Sequence, residues 1–556
     1  MKRIGLLVGS TICSEYFHKT ITSLIDGNSV EVCLLLNTTT SCHQGFICKL
    51  KSKLYRHGVI GSLNQFVFGR LVELEYKVLS LIYPKYKDHR KTFNIESLNL
   101  NNIIHITPVF SPSGLRVHYG VSDIEKIKSL NLDLMVRVNA PGIFTGDILK
   151  AAKKGIISFH HGDNRWNRGG PAAFWEVYLK KPSTGFVIQI LSEELDGGLV
   201  VFRGNLPTSR TFTENSINLY IKSNPHLSKI ILDILVNDKL PTLEIKAPFT
   251  RGIYTTPTVV QSLIYITQVF MSFIVSKINS LVARKRRTWG VAFVSGHWEG
   301  ANLRKGIRIE NPKGHFFADP FVVTKNNRTV CFVEDYMYRE NKGCIAAIEI
   351  VDSKNYKILG PVVMESFHMS FPYVFNHEGE LYMVPETSES NSIRLYKCID
   401  YPMMWEYQHD IMIDVDAADT MLFSHNNKYW MFSNISIDSD GDHSSKLMAY
   451  YRESMLSGDW VAHENNPIVY NCSIGRNAGI LNHKSNDVIR CRQKYGFNHY
   501  GAALTLARIT DLSPSSFHEE EISEISPEFF ENIDGCHHMH SDDNYTVYDY
   551  SYTENK

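Results

Sequence analysis

The sequence has 556 residues and a mass of 63.5 kDa, with 43% hydrophobic and 21% charged residues. Such a chain is too long for one hydrophobic core and too apolar for disorder, so two or three domains are expected. The formal net charge is zero, but residues 1–290 carry 36 basic against 20 acidic side chains, and residues 291–556 carry 22 against 38. This division favours two modules with different partners, the first attracting anions, and argues against a nucleic-acid partner.

The ten cysteines include no CxxC pair and are sparse for this length, which argues against a disulfide scaffold or a zinc ribbon. Residues 4–8 read as a strand directly after Met-Lys-Arg, and no small-residue cleavage site follows them. No secretory signal is therefore predicted, and a cytoplasmic location is expected.

Strand and helix patterns alternate through the first part of the chain. In chain order they predict strand 3–9, helix 16–25, strand 30–36, strand 103–107, helix 122–130, strand 132–138, helix 145–153 and strand 155–159. This order predicts an α/β fold with a doubly wound, mostly parallel sheet, which binds ligands at the carboxyl ends of its strands. Residues 40–100 read as irregular with a helical middle and are left unassigned.

Residues 211–288 are predicted as a helical linker. The chain is apolar from Pro257 to Val282 and then basic over 284–287, but polar residues recur too often for a membrane span of about 20 residues. One interpretation is an interfacial helix over 258–283, with peripheral contact to the inner face of the cell membrane through 258–287. The other is a helix packed between the two domains, and the sequence does not decide between them.

Short strands, aromatic residues and turns dominate after Trp289. A polar or proline-containing strand followed by an apolar strand recurs five times, at steps of 53, 47, 59 and 61 residues. The anchor residues of these repeats are Asp319, Pro372, Asp419, Ala478 and Met539. Because each blade of a β-propeller buries its faces only against its neighbours, this repeat predicts an all-β five-bladed propeller over 289–556.

The densest motif lies between residues 157 and 198. It contains Ser158-Phe159-His160, Arg168-Gly169-Gly170-Pro171, Thr184-Gly185 and Leu195-Asp196-Gly197-Gly198. It resembles the catalytic core of the formyltetrahydrofolate-dependent formyltransferases, among them the methionyl-tRNA and amino-sugar N-formyltransferases. Those enzymes carry Asn-x-His, an Arg-Gly pair before a proline, Thr-Gly and Asp-x-Gly. The resemblance implies a formyltransferase-like catalytic domain over residues 1–210.

By this resemblance His160 and Asp196 fall on the catalytic histidine and aspartate of the family, and Ser158 falls on its asparagine. An amine that attacks a formyl carbon creates an oxyanion, which needs a hydrogen-bond donor, and an ammonium proton, which needs a base. His160 is expected to serve both needs, while Asp196 orients the imidazole or orders a water. Ser158 puts the activity in doubt, because losing an oxyanion donor typically costs about 10²–10³ in rate.

The resemblance also implies 10-formyltetrahydrofolate as the formyl donor. The residues expected to line its cleft are Asn139, Gly142, Phe144, Gly197 and Gly198. The family's Ser-Leu-Leu-Pro is replaced by residues 161–164, so His161, Asp163 and Arg168 are expected to bind the acceptor, with a satisfied turn as the alternative for the first two. The absence of a GxGxxG or P-loop lysine motif argues against a dinucleotide cofactor.

The predicted propeller resembles the five-bladed fold of glycoside hydrolases and the N-terminal module of plant glucosamine inositolphosphorylceramide transferases. The segments that carry this resemblance are 317–321, 382–386, Arg476-x-Ala-Gly, Arg490-x-x-Gln493 and Tyr500-Gly501. Asp319, Glu386 and Asp419 are expected to bind a glycan. A hydrolase needs two carboxyl groups about 5–9.5 Å apart, but Pro372 stands where such hydrolases place a carboxylate, so sugar binding is favoured.

The histidine-rich run 537–540 with Asp542 offers enough ligands for a metal ion. Its spacing is not typical of a site for any particular metal, and a polar strand that faces inward explains it more simply. No metal is therefore predicted.

The sequence predicts a bacterial surface-glycan enzyme that transfers a formyl group to the amine of a nucleotide-linked amino sugar. Its partner is an amino-sugar nucleotide or a glycan acceptor, and its oligomeric state is left open. One alternative is a catalytically inactive formyltransferase-like module that serves a glycan-binding propeller, for which Ser158 is the supporting feature. Another is a propeller glycosidase or transglycosidase.

Overall fold

A computed structural model describes residues 2–26, 30–37, 46–98, 100, 102–241, 244, 248–249, 251–281, 285–436, 441–482 and 487–555. The chain divides into two compact units, Met1–Ser272 and Phe273–Lys556. They are named here the amino-terminal unit and the carboxyl-terminal unit.

The first twelve strands belong to the amino-terminal unit. They are β1 (Lys2–Val8), β2 (Ile12–Ser14), β3 (Val30–Asn37), β4 (Thr92–Asn94), β5 (Asn102–Ile106), β6 (Pro108–Phe110), β7 (Arg116–Tyr119), β8 (Leu134–Arg137), β9 (Ile143–Phe144), β10 (Ile156–His160), β11 (Ser183–Ile190) and β12 (Leu199–Pro207). The described helices are α1 (Glu15–Asp26), α2 (Phe46–Ile82), α3 (Val121–Ser129), α4 (Phe174–Tyr178), α5 (Phe212–Val236) and α6 (Val259–Leu281). The predicted helix 145–153 is a single 3₁₀ turn, Gly146–Lys150.

Seven strands form the main sheet in the order β12-β11-β10-β8-β1-β3-β5. The strands from β10 to β5 are parallel to their neighbours, whereas β11 and β12 pair antiparallel. Apolar residues of α1 and α5 pack on one face, and those of α3 pack on the other. Strands that are covered by helices on both faces of a sheet must be apolar on both faces. The predicted α/β fold with a mostly parallel sheet is therefore confirmed.

The unassigned region 40–100 contains the longest described helix, α2, whose backbone leaves helical geometry at Gly58 (φ 66°, ψ 178°). The predicted linker region contains all of α5 and then α6, which stops at Leu281. Residues 282 and 283 of the predicted interfacial helix and Arg284 of its basic run lie outside the described residues. Among the helices described, we find none with the length and apolar character needed to span a bilayer.

The carboxyl-terminal unit is built from strands. They are β13 (Lys285–Ser295), β14 (Ile307–Ile309), β15 (His315–Lys325), β16 (Arg328–Met337), β17 (Lys342–Ile350), β18 (Tyr356–Val363), β19 (Ser370–His377), β20 (Glu380–Glu386), β21 (Ser392–Asp400), β22 (Met404–Ile413), β23 (Ala417–His425), β24 (Lys428–Ile435), β25 (Lys446–Arg452), β26 (Val461–Ala462), β27 (Val469–Tyr470), β28 (Asn477–Asn482), β29 (Val488–Gly496), β30 (His499–Leu512), β31 (Phe517–Ile525), β32 (Ile533–Gly535), β33 (Met539–Ser541) and β34 (Tyr545–Asn555).

These strands form five antiparallel sheets among the described residues, and each predicted repeat supplies two neighbouring strands of one sheet. Four sheets follow the chain, starting at β15, β19, β23 and β28, and the fifth joins β13 to β34 along eleven paired residues. The first strands also touch in cyclic order, because β15 contacts β19, β19 contacts β23, β23 contacts β28, β28 contacts β33, and β33 contacts β15. A β-rich second half is thus confirmed.

A β-bulge interrupts the first strand of four of these sheets at the same place. The bulges fall after Ala318, Ser370, Ala418 and Asn477. Asp319, Phe371 and Asp419 each adopt a positive φ there, between 46° and 50°. Because a bulge re-aims the side chain, these three residues occupy equivalent positions. The sequence analysis aligned Pro372 with Asp319 and Asp419. The strand register instead places Phe371 at the equivalent position.

Candidate functional sites

His160 and Asp196 meet at the carboxyl end of β10, as the sequence predicts. The imidazole Nδ1 of His160 lies 3.2 Å from a carboxylate oxygen of Asp196. The other carboxylate oxygen accepts a hydrogen bond from the backbone N–H of Gly169 (3.0 Å), and Asp196 itself has φ 52°. The Arg-Gly and Asp-Gly-Gly motifs therefore hold one another and fix the carboxylate against the ring.

The second ring nitrogen of His160 also has a partner. Nε2 lies 2.9 Å from the backbone carbonyl of Asn167, and the residue is only 8% exposed. Burial lowers the pKa of His160, but the Asp196 carboxylate and the Asn167 carbonyl outweigh it, so the pKa is raised. With an acceptor at each nitrogen, the geometry suits a doubly protonated ring.

A buried carboxyl group below this pair was missed by the sequence analysis. Glu176 of α4 is fully buried and accepts a hydrogen bond from the Asn167 side chain at 2.7 Å. Burial raises the pKa of Glu176 to about 7. Asn167 thus links His160 to a second titratable group. The signal available in the sequence was a glutamate surrounded by apolar residues, in Phe-Trp-Glu-Val-Tyr, because such a position is expected to be buried.

Ser158 shares a face of the sheet with His160, since residues two apart on a strand point the same way. It is buried, and its hydroxyl donates to the backbone carbonyl of Phe159 at 3.1 Å. The hydroxyl is therefore engaged locally rather than directed at the pair.

The residues expected to line a folate cleft have mostly structural contacts. Asn139 accepts from the Gly9 N–H and donates to the carbonyls of Ser10 and Ile12, and the ring of Phe144 is 2% exposed in the core. Gly142 has φ 90°. In the turn after Asp196, the Gly198 N–H donates to the side chain of Gln189, and a Cβ at Gly197 or Gly198 would collide with its neighbours.

His161 and Asp163 also have structural partners. The ring of His161 lies between Phe159 and Tyr220, and burial lowers its pKa to about 3. The Asp163 carboxylate pairs with Arg165 at 2.5 Å and Arg203 at 2.6 Å. These contacts match the satisfied turn that the sequence analysis kept as the alternative.

Arg168 and Arg137 place positive charge around Asp196. Arg168 donates to the Leu195 carbonyl at 2.7 Å, and its guanidinium lies 3.6 Å from the ring centroid of Phe249. Arg137, at the end of β8, was missed; it donates to the Ala140 carbonyl, stands over Phe144, and interacts electrostatically with Asp196. Two guanidinium groups near an open strand edge suit an anionic ligand.

A cleft of about 930 Å³ opens beside this motif in the amino-terminal unit. Its walls come from α2 (Gly61, Asn64, Gln65, Phe68), from residues 112–115 and from Thr255 and Thr256, and Gly170-Pro171 form part of its lining. It therefore adjoins the Arg168-Gly169 pair that holds Asp196.

Asp319, Glu386 and Asp419, predicted as glycan-binding residues, converge in the carboxyl-terminal unit. Arg476 binds Asp419 at 2.6 Å and reaches Glu386 at 3.9 Å. Asp319 lies 3.3 Å from Nε2 of His537. We call these three carboxylates with Glu334 and Asp549 the acidic cluster, because each either raises the pKa of another member or has its own pKa raised by one.

Three carboxyl groups of the acidic cluster, those of Asp319, Glu334 and Glu386, have a raised pKa. Burial raises the pKa of Asp319 to about 7, aided by Asp419 and Asp549 against the opposing effect of His537. Burial raises the pKa of Glu386 to about 8, and Asp419 adds to this while Arg476 opposes it. Only Glu386 and Arg476 retain appreciable side-chain exposure, at 15% and 17%. A carboxyl group that is protonated at pH 7 can donate to a sugar hydroxyl or act as an acid.

Three members of this region have the ligand set for a metal ion. Asp319, His537 and Asp549 offer atoms that lie within 4.8 Å of one another, and all three residues are buried. His537 Nδ1 lies 2.6 Å from Asp549, so the imidazole bridges the two carboxylates. His538, His540 and Asp542, the other potential ligands of the histidine-rich run, do not join this group among the described residues. Asp549 was missed, although an aspartate between tyrosines of a strand signals an inward charge.

Changing Glu386 to glutamine tests the protonation of the cluster. The folded pKa of about 8 exceeds the ordinary 4.5, so the folded state keeps a proton that the unfolded state releases. The free energy of unfolding should therefore fall as pH rises from 4.5 to about 8. Glu386→Gln cannot titrate, so denaturant unfolding at both ends of this range should show that fall reduced by up to about 5 kcal/mol, since each pKa unit corresponds to about 1.4 kcal/mol.

The matched control for this change is Glu380→Gln, at the exposed start of the same strand β20. It should keep the wild-type pH profile. Parallel profiles for Glu386→Gln and the wild type would assign the titration to another group.

Comparison with known proteins divides the chain in two. The sequence profile of the family "Glucosamine inositolphosphorylceramide transferase 1, N-terminal" matches residues 307–538. Glucosamine inositolphosphorylceramide transferase 1 of Arabidopsis thaliana is 31% identical over 212 residues, which are 37% of this chain and 27% of that protein. The chain thus spans about a quarter of this relative.

A different relative is the methionyl-tRNA formyltransferase of Bacillus cytotoxicus, which is 25% identical over 181 residues, or 32% of this chain and 57% of that protein. Among solved structures, a thermostable family-43 glycoside hydrolase aligns with a TM-score of 0.29 and 13% identity, over 38% of this chain and 76% of that one. The chain therefore joins a formyltransferase-like part to a part similar to the amino-terminal region of glucosamine inositolphosphorylceramide transferase 1. Both curated relatives are transferases.

Proposed function

We propose that the amino-terminal unit transfers the formyl group of 10-formyltetrahydrofolate to the amine of a nucleotide-linked amino sugar. The observation that carries this proposal is the pair of His160 and Asp196, 3.2 Å apart at the carboxyl end of a parallel strand. Ligands of open α/β sheets bind at that edge. The similarity to a formyltransferase supports the reaction class.

The residues present divide the work of this reaction. The raised pKa of His160 gives a ring that donates to the developing oxyanion once a ligand displaces the Asn167 carbonyl from Nε2. Asp196 keeps the ring oriented and stabilises its positive charge. The ammonium proton passes to solvent as the bond between the formyl carbon and the donor nitrogen breaks and tetrahydrofolate leaves.

The location of the acceptor follows from charge and space. The cleft beside Gly170-Pro171 has room for a nucleotide sugar, and Arg168 supplies a nearby guanidinium for its diphosphate. The folate would lie at the carboxyl ends of the parallel strands, near Arg137. It would contact backbone groups there and in the 196–198 turn.

We further propose that the five antiparallel sheets form a five-bladed propeller that binds the glycan to which the sugar belongs. The cyclic contacts of the first strands support the architecture. The protonated carboxyl groups of the acidic cluster suit neutral hydroxyl groups. The protein would then act in the assembly of bacterial surface glycans.

The direct test is to incubate the full chain with 10-formyltetrahydrofolate and a panel of amino-sugar nucleotides while tetrahydrofolate release is measured. Release that depends on one acceptor supports the proposal. No release with any acceptor, from protein shown to be folded, would reject it.

A second candidate is a formyltransferase-like module without activity that serves a glycan-binding propeller. The observation that favours it is that the Ser158 hydroxyl and Nε2 of His160 are both hydrogen-bonded to backbone carbonyls. A third is a propeller glycosidase, favoured by the raised pKa of Glu386, which is the property of a general acid. Release of free sugar from oligosaccharides, lost in Glu386→Gln, would identify it.

Ser158→Asn separates the first candidate from the second. An amide extends further than a hydroxyl and supplies a second donor for the oxyanion, so kcat/KM for formyl transfer should rise about tenfold or more. Conversion of Ser228, a partly buried serine on α5, to asparagine is the control and should leave the rate unchanged. A fall in rate for folded Ser158→Asn would show that the serine is the better fit.

A further inference from the structure

Two neighbouring helices of the amino-terminal unit expose large apolar side chains in rows. On α2 these are Leu63, Phe66 and Leu74, and on α6 they are Val260, Leu263 and Phe270, each between 53% and 65% exposed. Their spacing of three, seven or eight residues places them along one side of each helix. We name these six residues the α2–α6 apolar surface.

The opposite sides of both helices are already packed. Asn64 of α2 accepts from the N–H of Val259 at 3.0 Å, and Glu75 accepts from the hydroxyl of Tyr265 at 2.5 Å. Phe68 packs edge-on against Phe174 at 5.1 Å. The inward sides of the two helices are therefore anchored to each other and to the rest of the unit. Their outward sides are also apolar. A helix that is apolar on all sides is usually covered on all sides.

The charges around this surface have one sign. The sequence has no acidic residue in 46–72 or in 245–272, whereas 46–72 carries five basic residues and 245–272 carries two. Arg70 lies among the exposed residues of α2, with its guanidinium 5.3 Å from the ring centroid of Phe66. Glu73 is paired with Arg90 at 2.6 Å. A second copy of this surface would bring like charges together, whereas anionic lipid headgroups would be attracted.

Two members of the basic run that the sequence analysis assigned to lipid, Arg286 and Arg287, have other partners. Lys285, Arg286 and Arg287 begin β13, where Arg286 pairs with Glu554 at 2.7 Å and Arg287 pairs with Asp534 at 2.9 Å. Membrane contact must therefore rest on the helices rather than on this run.

We propose that the α2–α6 apolar surface docks the protein onto an anionic lipid bilayer. The apolar side chains enter the region between headgroups and acyl chains, while Arg70 stays among the phosphates by extending along the interface. This inference is independent of the chemistry at His160. It extends the predicted contact of residues 258–287 to α2, which the sequence analysis left unassigned.

The test is flotation of the full chain with phosphatidylcholine vesicles that either contain or lack phosphatidylglycerol. Binding is expected for the anionic vesicles, and Phe66→Glu and Phe270→Glu should each lower the bound fraction about tenfold, because a charge on the apolar face opposes insertion. Val121→Glu, at the 74% exposed start of α3 on the other face of the sheet, is the matched control and should bind as the wild type does.

Three results would overturn the proposal. They are no binding to anionic vesicles, equal binding to neutral vesicles, and binding that both variants retain. Light scattering on the same samples identifies the main rival, because a wild-type dimer that Phe66→Glu dissociates would mean that a second copy covers this surface. Circular dichroism must show that the variants are folded.

Discussion

Replacing His160 with alanine is expected to lower the rate of tetrahydrofolate release by about 10²–10⁴. The substitution removes the imidazole that lies between Asp196 and the Asn167 carbonyl, so the oxyanion loses its donor and the carboxylate loses its charged partner. The measurement is kcat/KM with the best acceptor of the panel. His118→Ala, a histidine on the exposed side of β7, is the matched control and should retain the wild-type rate.

His160 is buried, so its removal also leaves a cavity that can destabilise the fold. His160→Gln fills much of that space and retains an amide donor, yet it cannot carry the positive charge. Its rate should lie between those of the wild type and the alanine variant. Activity within about twofold of the wild type in folded His160→Ala would reject the role assigned to this ring.

Replacing Arg476 with alanine is expected to lower the free energy of unfolding of the carboxyl-terminal unit by about 3–5 kcal/mol. Asp419 is 2% exposed and lies 2.6 Å from this guanidinium, and Glu386 lies nearby. Without the cation, buried carboxylates that already repel one another lose their main compensation. Tryptophan fluorescence during denaturation reports on this unit, because five of the seven tryptophans lie in it.

Arg328→Ala is the matched control, since Arg328 also pairs with a carboxylate, Glu349, at 2.8 Å, but on an exposed surface. That pair should contribute no more than about 1 kcal/mol. Adding Asp419→Asn to Arg476→Ala should recover part of the loss, because it removes the charge that the arginine neutralised. Equal destabilisation by both arginine variants would contradict the importance of the buried pair.

Most of the strand and helix pattern follows from the sequence. Period-two, period-3.6 and short apolar-run patterns placed β1, α1, β3, β5, α3, β8 and β10 to within about two residues, because all of these elements except β5 bury two or more apolar residues. The region of α2 lacked this signal. Its outward side is as apolar as its inward side, so no period distinguishes one from the other.

The sites were predicted less evenly. His160 and Asp196 were found because a motif of several residue types preserves their spacing along the chain. The acidic cluster was found only in part, because Glu334 and Asp549 come from second strands of different sheets and no local pattern unites them. The register of the bulges likewise decided that Phe371, rather than Pro372, stands in line with Asp319 and Asp419.

By itself the sequence determined the order of elements, the two-part organisation, and the pairing of one histidine with one aspartate, since these depend on local periodicity and on short motifs. Tertiary structure alone decided which charges were already neutralised. Asp163 is held by Arg165 and Arg203, and Arg286 is held by Glu554, so none of these charges is left without a partner. The physical reason is that the strength of a charge depends on its burial and its neighbours, and residues distant in the chain supply both.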